Sequence, residues 1–255
     1  MESNAPIGNF AVDNDDVYYT LTSKPGRPGD LTSDQATGAL RKLYLINQTN
    51  TAIMSNMRLP SLSYLVTDAS DIYLTIGTLQ NHNAFGVLRV SKAGGETHQL
   101  AGGIKAPNGL AVDDKSIYWL DFADNIVQKV PKAGGDSVVL FTDETGNSSP
   151  AAIAVDTQFL FFLTQRGDIY QISKTGSQKK QIFRNPAPEF TIDASISIYA
   201  NSLVWPLGKQ VMLMNTMTGK ARMVSAAQSA PRCVVADDKY VYWNDQQKGF
   251  MRVAK

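Results

Sequence analysis

Leu110-Ala-Val-Asp-Asp-Lys-Ser-Ile-Tyr-Trp119 returns near the end of the chain as Val234-Val-Ala-Asp-Asp-Lys-Tyr-Val-Tyr-Trp243, and weaker copies lie before and between the two. Aligned on the first aromatic position, the repeat falls at Tyr18, Tyr73, Tyr118, Phe161, Val204 and Tyr242. Copies spaced by roughly 40–45 residues are the signature of propeller blades. In the clearest copy, Leu110–Asp113, Ile117–Leu120, Ile126–Val130 and Ser137–Phe141 are short β-branched or aromatic runs separated by turn residues. Each unit therefore reads as a meander of strands a to d. Its c–d turn is Lys132-Ala133-Gly134-Gly135 here, Lys92-Ala93-Gly94-Gly95 one copy earlier, then Lys174-Thr175-Gly176 and Met217-Thr218-Gly219. Glycine is placed where a tight hairpin needs positive φ.

One such meander cannot bury both of its faces, so neighbouring units must cover them. The expectation is an all-β fold, a six-bladed β-propeller of four-stranded antiparallel blades. It forms a single domain over 1–255, with blades near 1–62, 63–105, 106–149, 150–187, 188–229 and 230–255. The C-terminus stops at the end of strand c, and Ala5-Pro6-Ile7-Gly8 echoes the connector Ala106-Pro107-Asn108-Gly109. The last blade is therefore expected to be three-stranded, or patched by Met1–Asn4, with an open edge available for dimerisation through blade six. Trp119, Trp205 and Trp243 share one repeat position, filled elsewhere by Tyr19, Leu74 and Phe162, and are expected to pack between blades. Asp13, Asp68, Asp113, Asp156 and Asp237 recur after strand a, which marks them as turn caps and not as agents of a single reaction.

Tyr242-Trp243-Asn244-Asp245 is one substitution from the Tyr-Trp-Thr-Asp signature of low-density-lipoprotein-receptor propellers, and Tyr118-Trp119-Leu120-Asp121 is a second near match. The Ala-Val-Asp run and the Pro107-Asn108-Gly109 connector also resemble NHL-repeat and gluconolactonase-type propellers. These resemblances imply a six-bladed fold; such repeats often work outside the cytoplasm, which leaves the compartment open and favours the periplasm or secretion over the cytoplasm. They do not imply one activity, because the families differ in what they do.

A net charge of +1, with no basic tract interleaved with aromatics, argues against nucleic acid as the main partner. No apolar run approaches the roughly 20 residues of a membrane span. The single cysteine, Cys233, cannot form an internal disulfide and, flanked by Val234 and Val235, is expected to be a buried small hydrophobe. Lys179, Lys180 and Arg184 read as a solvated outer edge.

In propellers the b–c and d–a loops share one face around the channel. Two loops depart most from the repeat: Ser23–Gly38, with Pro25-Gly26-Arg27-Pro28-Gly29-Asp30, and Gly77–Ala84, with His82. Long loops in compact domains are functional or disordered. Arg27, Asp30, His82, Asn108 and Arg232 are the candidate partner-binding residues. His98 falls in an outer strand and reads as structural.

The chain carries no sialidase-type box, no Gly-x-Ser-x-Gly elbow and no Cys-x-x-Cys pair, and it has only two histidines. A non-catalytic binding propeller, recognising a protein or glycan with no required cofactor, is therefore the leading expectation. The alternative is a metal-dependent lactonase of the gluconolactonase type. That resemblance implies a metal ion at the channel mouth, calcium (Ca2+) by the oxygen chemistry of its donors, with Asn108 in the matching connector; Asp193, and Glu2 or Asp237, lie in no matching family motif and are the further carboxylates the chain could bring to it.

Overall fold

The computed structural model describes residues 7–13, 16–22, 37–58, 64–77, 85–143, 149–187 and 195–255. Among them there are strands and turns and no helix. Five four-stranded sheets and one three-stranded sheet follow one another along the chain, each an antiparallel meander in sequence order, which is the six-bladed β-propeller expected from the repeat. The first sheet holds β1 (Ile7–Asp13), β2 (Asp16–Thr22), β3 (Thr37–Tyr44) and β4 (Asn50–Arg58). The second holds β5 (Leu65–Thr67), β6 (Asp71–Gly77), β7 (Phe85–Ser91) and β8 (Thr97–Ile104). The third holds β9 (Pro107–Val112), β10 (Ser116–Asp121), β11 (Ile126–Pro131) and β12 (Val138–Thr142). The fourth is β13 (Pro150–Val155), β14 (Phe159–Thr164), β15 (Ile169–Ser173) and β16 (Lys179–Phe183); the fifth is β17 (Ser197–Tyr199), β18 (Ser202–Leu207), β19 (Gln210–Asn215) and β20 (Lys220–Ser225). The sixth stops at three: β21 (Pro231–Ala236), β22 (Tyr240–Asp245) and β23 (Gly249–Ala254).

The chain divides into two compact units, Met1–Tyr118 with Lys129–Val138, and Trp119–Gln128 with Val139–Lys255. In the first unit, Tyr18, Leu40 and Met57 of one sheet bury against Leu65, Ile72, Leu74, Leu88 and Val90 of the next. In the second unit, Ala152, Ala154, Phe161, Leu163 and Ile169 pack on Ile196, Leu203, Trp205 and Met214, and a further cluster joins Val204, Val211 and Leu213 to Val234, Val241 and Trp243. Sheet thus packs on sheet through large side chains that alternate along the central strands.

All three tryptophans are buried, at 1%, 0% and 2% exposure for Trp119, Trp205 and Trp243. They are core residues. Phe183 meets Trp205 edge-on with ring centroids 5.0 Å apart, a favoured aromatic geometry. The Trp243 indole N–H donates to Oε1 of Gln228 at 3.2 Å, and the Gln228 amide in turn donates to Ser225 Oγ and the Ala226 carbonyl, each at 2.8 Å. Buried Gln228 is therefore satisfied on both ends of its amide.

Cys233 corrects the sequence reading: it is exposed. The register of β21 on β22 shifts between Arg232 and Val235, and Cys233 sits in that irregularity at φ 50°. A bulge reverses the in–out alternation, so Val234 turns inward at 1% exposure while Val235 is 49% exposed.

Candidate functional site

Two ends of each blade carry its polar chemistry. At the a–b and c–d turn end, four of the five recurring aspartates cap as the repeat implies. Asp68 Oδ1 accepts from the N–H groups of Ser70 (3.0 Å) and Asp71 (2.8 Å). Asp113, Asp156 and Asp237 repeat the pair with Lys115 and Ser116, Gln158 and Phe159, and Lys239 and Tyr240. The second oxygen has a separate duty: Asp68, Asp113 and Asp237 each receive the hydroxyl of the tyrosine at the repeat's first aromatic position, Tyr73 (2.9 Å), Tyr118 (2.8 Å) and Tyr242 (2.7 Å). Burial and the adjacent carboxylate push the Tyr73 and Tyr118 hydroxyls well above their ordinary range.

A lysine completes the arrangement, and the sequence reading had not assigned it. Lys132, the first residue of the third blade's c–d turn, reaches back to Asp68 of the second blade at 2.5 Å. Lys92 of the second blade does the same to Asp13 of the first and also donates to the Asp68 carbonyl. Burial would raise the Asp68 pKa, but the Lys132 ammonium, the Asp71 and Ser70 N–H groups and the Tyr73 hydroxyl outweigh it and bring it down to about 2. Lys179 is exposed on the outer strand β16, as its edge position implied, and holds its ammonium over the rings of Phe141 (4.0 Å) and Tyr170 (4.6 Å).

At the opposite end, loops are tied to one another by buried polar side chains. Asp245, 1% exposed, accepts from the Ser229 N–H (2.7 Å), the Ser229 hydroxyl, and the N–H groups of Gln247 (3.1 Å) and Lys248 (3.0 Å). It clamps the connector entering blade six to the loop between β22 and β23. Burial alone would raise its pKa, and these donors instead hold it well below the usual carboxylate range. Blade four has its own clamp: the Asn185 N–H donates to Asp168 (2.8 Å), its side-chain amide to the Arg166 carbonyl (2.8 Å), and the Ala187 N–H to Asn185 Oδ1 (3.1 Å). Gly167 beside it has φ 83°, and an added Cβ would stand 2.8 Å from Asn185 Nδ2 and from Leu207 Cδ1.

Of the sequence-predicted site residues, Arg27, Asp30, His82 and Asp193 lie outside the described residues. Asn108 stands second in β9 and is half-buried, and its Oδ1 accepts the Tyr64 hydroxyl at 2.6 Å. That contact joins the entries of blades two and three, a role that a turn residue ahead of glycine had not suggested. Arg232 stands second in β21, opposite Asn244, and is half-buried. Asn108 and Arg232 belong to different compact units, each described by itself. Among the described residues no group of three or more His, Cys, Asp or Glu side chains converges as a metal site, and no helix is long and apolar enough to cross a membrane.

No protein-family model and no curated protein sequence matches the chain. Solved structures do. The chain is similar to one from the nidogen/laminin complex, with a TM-score of 0.65 at 17% identity over 93% of this chain and 89% of that one. It is similar to the computationally designed Ika8 protein, with a TM-score of 0.64 at 11% identity over 98% of this chain and 71% of that one. It is also similar to a structural-genomics protein of unknown function from Bacteroides thetaiotaomicron VPI-5482, with a TM-score of 0.61 at 11% identity over 97% of this chain and 69% of that one. Similarity at these identities defines the class of the molecule, a six-bladed β-propeller, through its fold.

Proposed function

We propose that the chain is a non-catalytic binding propeller that recognises a protein partner through the face of its b–c and d–a loops. The observation that carries this reading is the division of labour between repeated and unrepeated residues. Repeated aspartates, tyrosines and lysines are consumed in turn caps and inter-blade contacts. On the loop face, buried Asp245 and Asn185 spend themselves on holding loop backbone, while the exposed side chains there, such as Arg166, Lys209, Gln247 and Lys248, differ from blade to blade. A pre-fixed loop surface loses less entropy on binding than a mobile one.

The similarity to a chain of the nidogen/laminin complex, whose name records an assembly of two proteins, supports a protein over a glycan as partner. Arg27 and Asp30 between β2 and β3, His82 between β6 and β7, and Asn108 and Arg232 at strand entries are the proposed contact residues. The test replaces 23–36 with a short Gly-Ser turn, keeping Thr37 and Gly38 of β3, and compares capture of a cross-linked partner with that of the parent chain. Capture should be lost while the melting transition is kept; unchanged capture would remove this face from the account.

A further inference from the structure

The turn end of the blades holds a second recognition element, and the backbone register locates it. The N–H groups of Lys92, Lys132, Thr216 and Lys255 donate to the carbonyls of Ser70, Lys115, Asn201 and Lys239, each at 2.9 Å. These four residues therefore occupy one repeat position. Between blades one and two, Lys92 at this position meets Asp13, with its Nζ 5.3 Å from the Tyr18 ring centroid. Between blades two and three, Lys132 meets Asp68, 5.8 Å from the Tyr73 ring. Lys255 lies 5.2 Å from the ring of Tyr199, which stands where the other blades have the aspartate. A carboxylate beside an aromatic face is thus a box that this fold fills with an alkylammonium group.

Between blades four and five the box persists and the lysine does not. Asp156 and Phe161 hold the carboxylate and ring positions, but the lysine position is Thr216, whose short hydroxyl turns to the Asn201 carbonyl at 3.4 Å. The c–d turn there is one residue longer, closing from the Gly219 N–H to the Asn215 carbonyl where blade two closes from Gly94 to Ser91. This places Met217 beside the lysine position and not in it. Asp156 Oδ1 receives its two turn N–H groups as its counterparts do. Phe161 has no hydroxyl to offer Oδ2, and among the described residues no other side chain supplies a donor. A cavity of about 430 Å³ opens here, lined by Asp156, Gln158, Phe161, Gln171, Asn201 and Met217 among others, with Asp156 the single charged residue of its described lining. That volume lies within the range of small-ligand sites, roughly 300–1,000 Å³.

We propose that this seam binds a primary alkylammonium group from outside the chain, supplied by a lysine side chain of a partner protein or by a small amine, in the place that Lys92 and Lys132 fill at their own seams. The site sits at the blade end opposite the loop face, so it stands or falls apart from the loop-face reading.

The test uses the full chain with labelled methionine methyl groups, titrated separately with n-butylammonium and with Nα-acetyl-lysine methylamide, reading the Met217 methyl resonance. A saturable shift is expected with at least one probe. Tighter binding of the lysine derivative assigns the group to a protein, and equal binding assigns it to a free amine. Asp156→Asn keeps the turn-capping oxygen and should weaken binding about tenfold, the loss of one charge-assisted hydrogen bond. Thr216→Lys should abolish the shift by supplying the ammonium internally. No saturable shift with either probe, or the same affinity in Asp156→Asn as in the parent chain, would overturn the proposal.

Discussion

Replacing Asp68 with asparagine isolates the charge of the inter-blade contact from its turn cap. Asparagine keeps Oδ1 for the Ser70 and Asp71 N–H groups but presents no negative charge to Lys132 at 2.5 Å and sets an amide nitrogen where Oδ2 accepts the Tyr73 hydroxyl. The Asp68 pKa falls from 3.8 to about 2 in the folded chain. A depression of that size corresponds to about 2 kcal/mol. The two turn N–H groups that asparagine keeps account for part of it, each side chain retains 19% exposure, and together with solvent screening this reduces the value to about 1–1.5 kcal/mol. For a chain of this size that is a fall of roughly 3–5 °C in Tm. Because the folded pKa lies below the unfolded one, the stabilisation is fully present above the unfolded value and disappears as pH falls through about 2. Thermal melts of both chains at pH 7, 5, 3 and 2 should show the gap at neutral pH and its closure in acid. Asp156→Asn, which removes no lysine partner, is the internal control and should shift Tm by a small fraction of that amount. Equal effects of the two substitutions, or an Asp68→Asn gap unchanged at pH 2, would refute the reasoning.

Trp205→Ala empties a fully buried site against Phe183 and should cost about 3–5 kcal/mol in urea denaturation, with a loss under 1 kcal/mol contradicting its core assignment. Gly167→Ala must adopt φ 83° and drive a Cβ to 2.8 Å from Asn185, so it should lower stability by more than 1 kcal/mol and raise hydrogen exchange at 184–187. Tyr64→Phe deletes the donor to Asn108 and should cost about 1 kcal/mol. In the same melts calcium should leave the parent chain's Tm unchanged; a calcium-dependent rise lost in Asn108→Ala would favour the lactonase-like metal site.

The strand pattern was legible because each copy repeats the same alternation of apolar residues and the same turns. The runs Ile117–Leu120 and Ile126–Val130 fall inside β10 and β11 as observed. The tryptophans and aspartates were legible for the same reason, since one position recurring in many blades has one local job. The lysine contacts were visible as a repeated Lys at the c–d turn, yet their partners belong to the preceding blade, and only packing reveals which carboxylate each one meets. Asn108 was singled out for its connector, but its Tyr64 partner lies 44 residues away. Cys233 escaped because one irregularity of register reverses the inward and outward faces of β21, and apolar neighbours carry no sign of it. The missing lysine at Thr216 was hidden by a turn one residue longer, which set Met217 against the wrong position in a comparison by sequence.

Hydrogen exchange of the chain, free and bound to its cross-linked partner, tests the loop-face account most directly. Binding there should slow exchange at 23–36, 78–84 and 227–232 and leave the a–b turns at 68–71 and 113–116 unchanged. Protection confined to the turn end of the blades, with the loops exchanging as in the free chain, would contradict it.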